Sequence, residues 1–162
     1  MCRYKIVLIV IIPVLAAAGT AFFFIYYQGS LEKAGILEIR DTNSARVFAK
    51  WPLEELDEFT IEFIHSVNQN PVRETFRIDN GKLHLDNVRF YSFGAGMQSD
   101  LAEGMNLITD GDAMIISGFS SSFKELNLII GTVSDHILFI NNEIISLREL
   151  CGRNAHITIQ YR

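Results

Sequence analysis

FTIEFIHSVNQNPVRETFRI (residues 59–78) reads as two strands joined by a polar loop. Successive strand residues point to opposite sides, so Phe59, Ile61, Phe63 and His65 share one face of the first strand. Glu74, Phe76 and Ile78 share one face of the second. An antiparallel pairing with Phe63 opposite Phe76 and Ile61 opposite Ile78 sets His65 directly across from Glu74 on the core face. Facing side chains in such a pair have Cβ atoms about 5 Å apart. An imidazole and a carboxylate at that distance, half out of water, would each favour the other's charged form. The expectation is a candidate site at the loop end of a two-stranded ribbon.

Outward from this ribbon, the chain is rich in strand signals. Residues 35–41 and 46–51 read as a hairpin turning at Thr42, Asn43 and Ser44, with Pro52 ending its second strand. Asn80-Gly81 supplies the two positive-φ positions of a type I′ turn. Beyond it, Leu83 and Leu85 share one parity while Val88 and Phe90 share the other, which predicts a β-bulge or break near Asp86-Asn87. Gly94-Ala95-Gly96 follows and marks a tight turn or a close approach of backbone or ligand. Residues 97–111 read as a loop, without the ligand spacing of a calcium loop.

Residues 112–119 read as a buried strand, and Ser120, Ser121 and Ser122 as a turn. Leu126, Leu128 and Ile130 then alternate inward. Residues 136–140 and 143–145 form a hairpin over Asn141-Asn142. Ser146 with Glu149 makes a capping box, Gly152 a helix stop, and residues 155–162 a closing strand. About nine short strands without a long amphipathic helix predict an all-β domain, an antiparallel β-sandwich or open barrel.

Residues 6–27 carry no charge and are almost wholly apolar. As a helix they span roughly 33 Å, enough for a hydrocarbon core of about 30 Å. Arg3 and Lys5 precede them, which places the N-terminus in the cytoplasm. The rival, a cleaved signal peptide, has a shorter apolar run, and no Ala-x-Ala follows Tyr27. The expected organisation is a single-pass anchor at 1–28, a linker at 29–34 and an extracytoplasmic β domain at 35–162. Of 14 basic residues, removal of Arg3 and Lys5 leaves 12 against 19 acidic ones, a net of −7 for the exported part. A nucleic-acid partner is therefore not expected. Cys2 and Cys151 would lie on opposite sides of the membrane, so no disulfide is predicted.

HSVNQNPVRETFRI (65–78) and RFYSFGAGM (89–97), following a membrane-entry segment, resemble a bacterial family catalogued as domain of unknown function 1850. The resemblance rests on His65-Ser66-Val67, Pro71-Val72, Glu74 and Ser92-Phe93-Gly94-Ala95-Gly96. Where the family pattern usually has a proline soon after Gly-Ala-Gly, this chain has Met97-Gln98. The resemblance implies a small exported or anchored protein associated with TAXI-type tripartite ATP-independent periplasmic (TRAP) transporters. A permease or solute-binding subunit is the implied partner.

Three functions are then weighed. In the first, the domain is a noncatalytic accessory module, and His65, Ser66, Glu74, Gly94, Ala95 and Gly96 form a docking or small-ligand site. In the second, it is a hydrolase-like enzyme with His65 as base, oriented by Glu74, and Ser66 as nucleophile. Alternation points Ser66 away from His65, which disfavours that arrangement. In the third, the His65–Glu74 pair is structural. No cofactor is expected. Neither is a metal, because His84, His136 and His156 are expected on polar faces or turns and no third ligand is evident.

Overall fold

The computed structural model describes residues 35–67, 69–91 and 101–162, and these are all-β. Their strands are β1 (Gly35–Asp41), β2 (Val47–Leu53), β3 (Glu58–Ile64), β4 (Pro71–Asp79), β5 (Lys82–Phe90), β6 (Asn106–Asp110), β7 (Ala113–Ser117), β8 (Ser122–Phe123), β9 (Glu125–Ile129), β10 (His136–Ile140), β11 (Glu143–Ser146) and β12 (His156–Tyr161), with one short helix, α1 (Leu147–Cys151). They pair antiparallel in two sheets. One runs β2-β1-β12-β9; the other runs β11-β10-β3-β4-β5-β7-β6, with β8 on β5. Among the described residues no helix is long and apolar enough to cross a membrane. The anchor expected at 1–28 and the linker at 29–34 lie outside them.

One core joins the two sheets. Leu37, Ile39, Trp51 and Leu53 come from β1 and β2, and Ile157 and Ile159 from β12; they meet Phe59, Ile61, Phe76, Ile78 and Leu83 of the larger sheet. The alternating residues identified in the sequence do this work. Leu126 and Leu128 pack against the core and Ile130 is fully buried. A second, smaller cluster of Val72, Phe90 and Ile116 lies on the larger sheet.

Local signals hold where they rest on turn chemistry. Asn80 and Gly81 have φ of 51° and 68°, the left-handed pair of a type I′ turn. The Ser146 hydroxyl accepts from Glu149 N at 3.0 Å and starts α1; Gly152, at φ 101°, ends it. Between β4 and β5, Thr75 faces Asn87 but Phe76 faces Leu85, so Asp86 is the extra residue of a bulge. That bulge returns Val88 and Phe90 to the inner face.

Two expectations are corrected. Pro52 does not end its strand: β2 continues to Leu53, with Pro52 opposite Ile36. It is tolerated because β2 is an edge strand, where one ladder is missing anyway. Residues 106–110 are not loop but the edge strand β6, paired with β7. Every residue of β6 is exposed, so no buried face imposes the alternation by which a strand is read.

Candidate functional site

The ribbon of β3 and β4 forms, but in another register. Phe59 faces Phe76, Ile61 faces Glu74, Phe63 faces Val72 and Ile64 faces Pro71. The Phe59 and Phe76 rings stack with centroids 5.4 Å apart, and both are buried. This pairing differs by four residues from the expected one. An even shift keeps every side chain on its face, so alternation alone does not separate the two registers. The observed one closes a shorter loop and buries Phe59 against Phe76.

His65 consequently lies in the loop and not opposite Glu74. Its N–H donates to the Asn70 carbonyl at 2.9 Å, and its carbonyl accepts from Gln69 N at 3.0 Å. Its Nδ1 accepts from Val67 N at 3.3 Å. Ser66 is exposed, and its carbonyl accepts from Gln69 Nε2 at 2.6 Å. The expected His65–Glu74 pair is not formed: Glu74 is level with Ile61, four residues down β3 from His65, or about 13 Å along the strand. The dyad required by the hydrolase reading is absent with it.

Glu74 occupies a different setting. In its cross-strand row stand Leu138 and Ile61 on one side, and Val88 and Ile116 on the other. Its neighbours two residues away on the same face are Val72, in the smaller cluster, and Phe76, in the main core. The carboxyl thus sits at the seam between two apolar clusters. It makes no hydrogen bond or ion pair with another described residue. Burial pushes its pKa above the ordinary 4.5, favouring the neutral acid.

The histidine that does share this face is His136. It faces Phe63 at the start of β10, ring centroids 5.8 Å apart. Its Nδ1 is buried with no hydrogen-bond partner. Burial lowers its pKa from the ordinary 6.5; Asp135 opposes this and Arg148 adds to it. The expectation of a polar face or turn is therefore corrected. The period-2 set His136, Leu138, Ile140 carried the signal, since the last two are core residues. Glu74 and His136 are separated by β3, about 10 Å across the sheet, too far for direct proton transfer.

Asp135 fixes this end of β10. Its Oδ1 accepts from His136 N at 2.7 Å and from Arg148 N at 3.0 Å. Its Oδ2 accepts a short hydrogen bond from the Ser146 hydroxyl. A cleft of about 460 Å³ beside it is lined by Phe63, Ser66, Gln69, Gly131, Ser134 and His136 among others. Of the residues singled out in the sequence, Ser66 thus borders the same cleft as His136.

Gly94, Ala95 and Gly96 lie outside the described residues. The remaining histidines follow expectation: His156 is exposed, and His84 points to the outer face, within 3.3 Å of the Ser122 hydroxyl. Among the described residues no three His, Cys, Asp or Glu side chains are grouped to hold a metal.

Comparison with known proteins gives one match. A family model described as Domain of unknown function (DUF1850) matches residues 59–147, from the start of the ribbon to the start of α1. No curated protein and no solved structure matches.

Proposed function

The chain belongs to the family described as Domain of unknown function (DUF1850), and from that premise we propose a membrane-anchored, extracytoplasmic accessory module that docks a partner and performs no chemistry of its own. The apolar segment 6–27 would tether it as a single pass, with the N-terminus in the cytoplasm. The partner to test first is a permease or solute-binding subunit of a TAXI-type TRAP transporter, the association implied by the family resemblance.

One observation carries this reading. Glu74 is a partly buried carboxyl among apolar side chains at the seam of two clusters, without a hydrogen bond or ion pair to another described residue. Burying such a group without a partner costs stability. Its presence is explained if a docked molecule supplies the missing donor. Catalysis is less well supported, because neither His65 nor His136 is placed to exchange a proton with Glu74.

The test is co-purification of the full chain, extracted in detergent, with co-expressed permease and solute-binding subunits of a TAXI-type TRAP transporter. Glu74→Gln is expected to reduce subunit recovery at least fivefold while the melting temperature is maintained. Undiminished recovery with a clearly lower melting temperature would assign Glu74 a structural role instead.

A further inference from the structure

On the opposite, outer face of the larger sheet, Arg73 and Arg89 stand directly across from each other on β4 and β5. Like charges in facing positions repel. The domain is net acidic, yet these two arginines are set together over a polar floor. Thr60, Thr75 and Asn87 form that floor in one cross-strand row, the two threonine hydroxyls 3.0 Å apart. Phe139 and Ile115 close the sides of a cleft of about 350 Å³. The Arg73 guanidinium lies over the Phe139 ring, 5.1 Å from its centroid.

Among the described residues each arginine meets one carboxylate. Arg73 Nε meets Glu62 Oε2 at 2.5 Å, and Arg89 Nη1 meets Asp110 Oδ2 at 2.9 Å. Tyr91 also interacts with Arg89, and with Asp110 it raises the Arg89 pKa further, so the charge is permanent. Yet a guanidinium carries five donor hydrogens. Arg89 Nε is buried with no hydrogen-bond partner, while the side chains of Arg73 and Arg89 remain 47% and 31% exposed. Both guanidinium groups thus keep exposed surface along a cleft with an apolar flank.

We propose that this cleft binds a small organic carboxylate. Its carboxylate lies between the Arg73 and Arg89 forks, which match such a group in a planar, two-point geometry. Its apolar portion rests on Phe139 and Ile115. The inference is independent of the docking role of Glu74, which lies on the other face of β4.

Isothermal titration of the detergent-solubilised full chain with benzoate tests it, with benzamide and inorganic phosphate as comparison ligands. Benzoate is expected to bind at least tenfold more tightly than either. Arg89→Gln and Arg73→Gln should each weaken benzoate binding at least tenfold; Arg89→Lys, which keeps the charge and loses the fork, should weaken it less; Arg153→Gln, on a distant turn, should leave it unchanged. Equal binding of benzamide would overturn the role of charge, and phosphate binding as tightly as benzoate would overturn the carboxylate assignment. Absence of benzoate heat with the wild-type chain, or benzoate affinity unchanged in a folded Arg89→Gln or Arg89→Lys variant, would overturn the site.

Discussion

Glu74 stands directly opposite Ile61 in the β3–β4 pair. Ile61 is itself almost fully buried, so the carboxyl is presented to the same apolar layer. Ile61 is one of the apolar neighbours whose burial of Glu74 raises its pKa, and this gives Glu74 a pH signature.

A carboxyl whose folded pKa is raised holds its proton more tightly when folded than when unfolded. Stability therefore falls as pH rises from the ordinary value of 4.5 through the higher folded value, and the penalty is complete above it. Glu74→Leu removes the penalty and extends the apolar row. We expect a gain of about 1–2 kcal/mol at neutral pH, and a flatter stability profile above pH 4.5, measured by urea unfolding at several pH values. A loss of stability in Glu74→Leu would mean that the carboxylate has a stabilising partner after all.

His136 has the opposite sign. Its folded pKa lies below 6.5 because it is buried, with Arg148 nearby and Asp135 only partly offsetting. The unfolded chain then binds the extra proton, so stability rises with pH up to about 6.5. His136→Phe keeps a ring against Phe63 and removes the titrating nitrogens. Its unfolding curve should lose the acid-side decline, while the profile assigned to Glu74 stays in place. Chemical denaturation between pH 5 and 8 separates the two, and an unchanged acid limb in His136→Phe would refute the assignment to this ring.

These two groups also mark what was legible in the sequence. Period-2 alternation identified the faces of β3, β4 and β12, and two parities in residues 83–90 put a bulge or break near Asp86-Asn87, which the register resolves to Asp86. Turn chemistry located Asn80-Gly81 and the start of α1. Register was not legible, because pairings that differ by an even number of residues keep the same faces. The choice falls to Phe59 stacking on Phe76 and to the lower cost of closing the short 65–70 loop, neither of which alternation encodes. His136 was passed over because a histidine at a strand start resembles a turn residue, and β6 because an exposed edge strand has no buried face to pattern.

Cys151 should be chemically quiet. Burial pushes its thiol from 9.0 up to about 11, which lowers the thiolate fraction at neutral pH about a hundredfold, and the thiolate is the reactive form. In a Cys2→Ser background, iodoacetamide should modify the folded protein at pH 7.5 at least tenfold more slowly than the urea-unfolded protein. Equal rates, read by mass spectrometry, would show that the thiol is not protected by the fold.

Asp86 gives the sharpest structural test. As the extra residue of β5 it is absorbed by the bulge, so that Leu83 and Leu85 on one side, and Val88 and Phe90 on the other, all reach the inner face. Deleting it would restore a plain alternation. Leu85 would be followed directly by Asn87, which stays outward, so Val88 and Phe90 would still point inward and Arg89 outward. The deletion is therefore expected to keep a cooperative unfolding transition, losing only the Asp86 ion pair with Arg77 and the local bend of the bulge. Asp86→Gly, by contrast, keeps the residue count and forfeits only the carboxylate that meets Arg77 Nη1 at 2.7 Å, a half-exposed ion pair worth about 1 kcal/mol or less. Loss of the cooperative transition in the deletion variant, seen by thermal melting and circular dichroism, would show that the fold needs the bulge itself and not only the inward placement of Leu83, Leu85, Val88 and Phe90.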